Sequence, residues 1–129
     1  MTLSNNYVMI VEDDPGVREG LVDVIAGEGY EVESYPDGRI ALDRLATGDA
    51  LPCVIVLDFL MPGMDGWMFL RERAKDPRLQ KIPVLGMSAS PHLVDQKGSP
   101  AGVEEFLRKP FKVETILSSI KRHCENGQH

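Results

Sequence analysis

The residues Val54, Ile55, Val56 and Leu57 form a run without a polar position, so a strand built from them has no side to offer water. Successive side chains of a strand point to opposite faces, and both faces of this one must therefore be covered. A parallel sheet with helices on either side gives that cover, because each parallel crossover lays a helix across a face. The run ends in a lone carboxylate, Asp58, ahead of the turn-forming "MPGMDG". Ligands of open parallel sheets bind at the carboxyl ends of the strands, which makes Asp58 a site candidate by position. The same residue would also serve as a plain turn cap.

The rest of the chain alternates in the way such a sheet requires. Tyr7 to Val11 reads as a first strand, followed by Asp14 as N-cap and Pro15 as first helical residue. Val17, Leu21, Val24 and Ile25 share one face of that helix, and Gly27 and Gly29 stop it before a second strand, Glu31 to Tyr35. A weaker helix from Arg39 to Ala46, with Ile40, Leu42 and Leu45, ends near Gly48. Asp65 and Gly66 open a third helix with Trp67, Leu70 and Ala74 on one face, and Arg71, Arg73 and Lys75 on its solvated side. Val84 to Met87 gives a fourth strand and Glu105 to Arg108 a short fifth. A final helix from Lys112 carries Val113, Ile116, Leu117 and Ile120, then passes into the polar tail "CENGQH". Between the last two strands Pro91, Gly98, Pro100 and Gly102 crowd the crossover, so any helix there is short, His92 to Lys97. The class is α/β, with right-handed crossovers.

A chain of 129 residues fits one domain spanning 1–129, with an ordered core of about 6–123 and short polar tails. Fourteen basic against twenty acidic residues give a net charge of −6, which disfavours direct contact with nucleic acid. Cys53 starts a buried strand and Cys124 falls in the polar tail, so no disulfide is expected and a reducing cytoplasm fits. No apolar run reaches membrane-spanning length, and the amino-terminal segment lacks the pattern of a signal peptide.

Asp58 has company at the carboxyl end of the sheet. The first strand leads into Glu12, Asp13 and Asp14, and the fifth into Lys109 and Pro110. If strands one, three and five are neighbours, these groups converge. Carboxylates gathered so closely repel and raise one another's pKa unless a cation takes up the charge. Magnesium suits the role, since it is held by a few carboxylate oxygens and keeps several waters, leaving room for a phosphate oxygen. A divalent ion and a lysine on two sides of a phosphoryl group, with a carboxylate to attack phosphorus, meet what phosphoryl transfer requires.

The segments "VMIVEDDPGVREGL", "VIVLDFLMPGMDGWMFL", "VLGMSAS" and "EEFLRKPF" resemble the receiver domain of bacterial two-component response regulators, over nearly the whole chain. The resemblance implies a flavodoxin-like, doubly wound fold, a five-stranded parallel sheet of order 2-1-3-4-5 with helices on both faces. It implies that Asp58 is the phosphoacceptor and that Glu12 and Asp13 bind Mg2+ with it, joined by the backbone carbonyl of Leu60. Asp14 is then a bystander. Ser88 and Lys109 correspond to the residues that contact the phosphoryl group, and Phe106 to the aromatic switch residue, here without the hydroxyl of the more usual tyrosine. The Lys109-Pro110 bond is expected to be cis. A phosphorylation-dependent signalling switch of this kind takes its phosphoryl group from a sensor histidine kinase or phosphotransfer protein. It acts on a downstream effector protein or a fused output domain, and the family leaves room for a dimer formed on phosphorylation.

Other readings fit the residues less well. A haloacid-dehalogenase-like enzyme also uses a strand-end Asp and magnesium, but needs a second acid two positions on, where this chain has Leu60. A flavodoxin-like cofactor binder would place a phosphate beside Glu12 to Asp14, which repel it. A receiver that works without phosphorylation has no need of the intact site present here. His92, His123 and His129 show no metal-ligand spacing.

Overall fold

The computed structural model describes residues 6–48, 50–89 and 103–124. The crossover segment from Pro91 to Gly102 and the expected short helix in it lie outside the described residues. Strands β1 (Tyr7–Val11), β2 (Glu31–Tyr35), β3 (Val54–Asp58), β4 (Val84–Ser88) and β5 (Val103–Arg108) form one sheet of order β2-β1-β3-β4-β5, every pair parallel. The helices are α1 (Pro15–Gly27), α2 (Gly38–Thr47), α3 (Gly66–Arg73), the single turn α4 (Pro77–Gln80) and α5 (Val113–Cys124). The doubly wound architecture expected from the sequence is the one observed.

The apolar run of β3 divides between two cores. Ile55 and Leu57 join Met9, Val11, Leu45 and Phe69 on the side of α2 and α3. Val54 and Val56 join Ile10, Ile25, Ile116 and Ile120 on the side of α1 and α5. Period-two alternation therefore assigns each residue of the run to a layer, and no face of β3 is left to water.

Helix starts follow their caps. Asp14, Asp37 and Asp65 each accept backbone N–H bonds at the first turn of α1, α2 and α3, and Pro15 occupies the first helical position of α1. The buried face of α3 differs from the expected one. Gly66, Phe69, Leu70 and Arg73 are buried, whereas Ala74 is exposed and Trp67 half-buried. Arg73 is thus no part of a solvated face: it donates to the Ile82 carbonyl at 2.8 Å, tying the end of α3 to the loop before β4. Ile40 and Val113 turn outward, at 45% and 46% exposure, at the first turns of their helices.

Cys124 contradicts its expected place in a polar tail. Helix α5 runs through it, and a spacing of four residues puts it on the buried stripe of Ile116 and Ile120. That stripe ends against the head of β3, where Cys124 is disulfide-bonded to Cys53, their Cα atoms 5.1 Å apart. The expectation of two unpaired thiols is therefore wrong. It failed because the helix was ended too early, one residue short of the position that meets Cys53.

Phe59, directly after β3, is fully buried and packs edge-on against Trp67 at 4.9 Å and Phe106 at 5.0 Å. Gly66 begins α3 beneath it, its N–H bonded to the Phe59 carbonyl at 3.2 Å, and a Cβ at position 66 would fall inside the Phe59 ring. Neither ring nor backbone has room to yield. Gly66→Ala is expected to cost about 1–3 kcal/mol by overpacking, read as a lower urea midpoint; an unchanged midpoint would contradict this packing.

Candidate functional site

The carboxyl edge of the sheet carries the site because β1, β3 and β4 end there in register. Val11 pairs with Leu57, so Glu12 and Asp13 leave β1 beside the last residue of β3, Asp58. Asp58 pairs with Met87, so Ser88 ends β4 one step further along the same edge. Glu12 is fully buried, Asp58 is 4% exposed and Asp13 is half-buried. One carboxylate oxygen from each of the three lies within 4.8 Å of the others. Asp14 turns away to cap α1, accepting from the N–H groups of Gly16 and Val17.

Lys109 arrives from a strand that is not next to β3, in keeping with the order 2-1-3-4-5 that the resemblance implies. Strand β4 lies between β3 and β5. The lysine reaches back across it and places Nζ 2.5 Å from Glu12 Oε1 and 3.4 Å from Asp58 Oδ2. The Lys109-Pro110 peptide is cis, and the Lys109 N–H donates to the Ser88 carbonyl at 2.9 Å, joining the ends of β4 and β5.

Burial raises the Glu12 carboxyl above the usual range and the nearby Asp58 adds to this, against the pull of the Lys109 hydrogen bond. Burial works against the charged form of Lys109, yet its bond to Glu12 and the charge of Asp58 hold the ammonium above its ordinary value. Among the described ion pairs, Lys109 alone pairs with carboxylates of this cluster, those of Glu12 and Asp58. The donor set suits a hard dication: oxygens that already converge, all carboxylate, and one of them half-open to solvent. The Leu60 N–H donates to Asp58 Oδ1 at 3.1 Å, so the loop after β3 folds back over the acid and its backbone lies beside the site.

Phe106 is half-buried on β5, its ring over Gly86, where an added Cβ would meet it at 2.8 Å, and against Phe59. Phe59 follows Asp58 directly, so the aromatic chain from Trp67 through Phe59 to Phe106 starts one residue from the acid. Sequence reasoning missed Arg18. From the second turn of α1 it donates to the backbone carbonyls of Glu12 at 2.8 Å and Asp13 at 3.5 Å, bracing the loop that holds both acids. A cation one turn into a helix that follows an acidic loop was the available signal.

A family model for the response regulator receiver domain matches residues 8–121 of the chain. The chain belongs to the response regulator receiver domains. These receivers are the phosphorylation-dependent switches of two-component signalling. The chain is 34% identical to the response regulator MprA of Mycolicibacterium vanbaalenii over 115 residues, 88% of this chain and 48% of that protein. It spans about half the length of the curated relatives it matches. Among solved structures, the signal receiver domain of a signal transduction histidine kinase from Syntrophus aciditrophicus superposes with a TM-score of 0.83 at 32% identity, covering 94% of this chain and 91% of that one. The response regulator TrrA of Thermotoga maritima, in complex with Mg2+ and BeF, gives 0.79 at 25% identity, over 91% and 97% of the two chains.

Three carboxylates against one ammonium leave this receiver's site with unbalanced negative charge when no divalent ion is supplied. Asp13→Asn should therefore raise the melting temperature in chelator, by roughly 2–5 °C for about 1 kcal/mol of relieved repulsion. A fall in melting temperature under those conditions would show that Asp13 stabilises the fold rather than strains it.

Proposed function

We propose that Asp58 accepts a phosphoryl group from a sensor histidine kinase or phosphotransfer protein, and that the modified domain presents an altered face to an effector protein or a fused output domain. The observation that carries this reading is the convergence of Glu12, Asp13 and Asp58 on one point, with Lys109 Nζ 3.4 Å from Asp58 Oδ2. In the step itself, an Asp58 carboxylate oxygen attacks phosphorus, the bond from phosphorus to the donor's imidazole nitrogen breaks, and the imidazole leaves. Lys109 meets the charge on the transferring group, and the buried surroundings of Asp58 keep bulk water away from the acyl phosphate. Glu12 and Asp13, with Asp58 and the Leu60 carbonyl, are the residues that would hold Mg2+. Bound there, the ion supplies positive charge against the phosphoryl oxygens.

Ser88 and Phe106 are the proposed relay. A phosphoryl group on Asp58 offers the Ser88 hydroxyl a charge-assisted hydrogen bond, and movement of that strand end alters the support of the ring over Gly86. The domain promotes its own modification and its loss rather than turning over a substrate. Its acidic balance of −6 fits a protein partner better than nucleic acid. Where DNA is the eventual target, as the description of the DNA-binding response regulator MtrA of Mycolicibacterium smegmatis states for that protein, contact would fall to another domain. None of the described helices is long and apolar enough to cross a membrane, which agrees with the proposed cytoplasmic location.

Incubation with acetyl phosphate should add a single labile phosphoryl group, seen by intact-protein mass spectrometry, only when divalent metal is present and not in Asp58→Asn. An adduct that persists in the variant, or forms as well in excess chelator, would refute the assignment. The lifetime of the adduct gives a second check. Leu60 is apolar and half-buried two residues past the acceptor and cannot orient an attacking water, so decay should be slow, and Leu60→Asn or Leu60→Glu should change its rate. Rapid decay of the wild type, indifferent to both replacements, would remove this argument.

A further inference from the structure

The bond between Cys53 and Cys124 joins two elements that are 71 residues apart in the chain, at the end of the sheet opposite Asp58. Its two sulfurs are unequally placed. Cys53, at the head of β3, is partly open to solvent, whereas Cys124, in the last turn of α5, is 3% exposed. The Cys53 Sγ also lies 3.2 Å from the Tyr7 carbonyl, at the start of β1.

We infer that Cys53 and Cys124 form a reversible thiol–disulfide site, read and written by low-molecular-weight thiols and disulfides of the glutathione class, which fastens or frees the last turn of α5. The unequal exposure sets the order of events. In oxidation, the Cys53 thiolate attacks a glutathione disulfide, forming a mixed disulfide at Cys53 and releasing one glutathione thiolate. The Cys124 thiolate then attacks the Cys53 sulfur and releases the second. Two protein thiols and one glutathione disulfide thus become one protein disulfide and two glutathione thiols, and reduction runs the same steps backward. The thiolates form by loss of protons that the departing glutathione takes up, so the exchange balances.

The consequence falls on α5. Its middle is held independently of the cysteines, by the Ile116 and Ile120 contacts and by Ser119, which donates to Glu105 of β5; in its last turn Arg122 donates to Glu105 as well. Its last residue, Cys124, is tied covalently to the head of β3 and packs in the same buried layer as Val54 and Ile120. Helix ends open more readily than helix middles, so a covalent tie at this position has its largest effect on the last turn. The state of that turn is set at the end of the sheet opposite Asp58. The proposal does not rest on the phosphoryl reading.

The test uses the whole chain in glutathione buffers stepped from fully reducing to fully oxidising, quenched with acid, alkylated after denaturation and weighed intact. The expected result is a single transition from two alkylated cysteines to none, with a melting temperature higher by about 10 °C in the oxidised form and stronger amide protection of residues 120–124. Cys124→Ala should instead accumulate one glutathione on Cys53, and Cys53→Ser should accumulate none at the buried position. Two free thiols in glutathione disulfide alone would overturn the proposal. So would a bond that no glutathione mixture reduces in the folded protein, or a transition that leaves protection of 120–124 unchanged.

Discussion

The ammonium of Lys109, set between Glu12 and Asp58, is the interaction on which this molecule's arrangement depends. A fully buried glutamate and a nearly buried aspartate cannot share a strand edge unless something offsets both desolvation and mutual repulsion. Lysine does so from the end of β5, across β4. It offsets only part of the charge, and the remainder suits the edge to a dication, the setting proposed for phosphoryl transfer. The same feature that makes the site costly to fold makes it chemically useful.

Everything else in the fold serves to hold those groups in register. Parallel pairing of β1 with β3 and of β3 with β4 brings Glu12, Asp58 and Ser88 to a common edge. Two apolar layers keep the strands from sliding, since a shift of one residue would exchange their faces. Arg18 braces the acidic loop through its carbonyls, and the Leu60 N–H closes the next loop onto Asp58. On the far side of the site, Gly86 makes room for Phe106, so any displacement of the end of β4 meets an aromatic ring at once.

Much of this was legible from the chain alone, for physical reasons. Val54 to Leu57 demanded cover on both sides, Asp14 and Asp65 stood where helices must begin, and the strand-end acids lay at ligand-binding positions. What could not be read was which buried surfaces meet. Helix periodicity for α3 suggested Trp67, Leu70 and Ala74; Leu70 is buried and Trp67 packs half-buried on the core, but Ala74 is exposed and Phe69 and Arg73 are buried with Leu70. Cys124 looked like part of a polar tail since the residues after it are polar, though its spacing from Ile120 continued the buried stripe. Lys109 reaches Glu12 and Asp58 across β4 rather than from a strand beside β3. Strand order decides who sits beside whom, and only the resemblance to receivers, not periodicity, supplied it.

The central claim is that Glu12, Asp13, Asp58 and Lys109 act as one phosphoryl-handling unit coupled to Ser88 and Phe106. Two-dimensional amide and aromatic NMR during addition of Mg2+, and then of beryllofluoride as a phosphoryl mimic, tests it most directly. The account predicts that Mg2+ shifts signals of residues 12–13 and 58–60 first. Beryllofluoride should then shift Ser88, Lys109 and the Phe106 ring, with none of these changes in Asp58→Asn. Shifts that begin elsewhere on the domain, or a beryllofluoride response that stops at Asp58 without reaching Phe106, would contradict it.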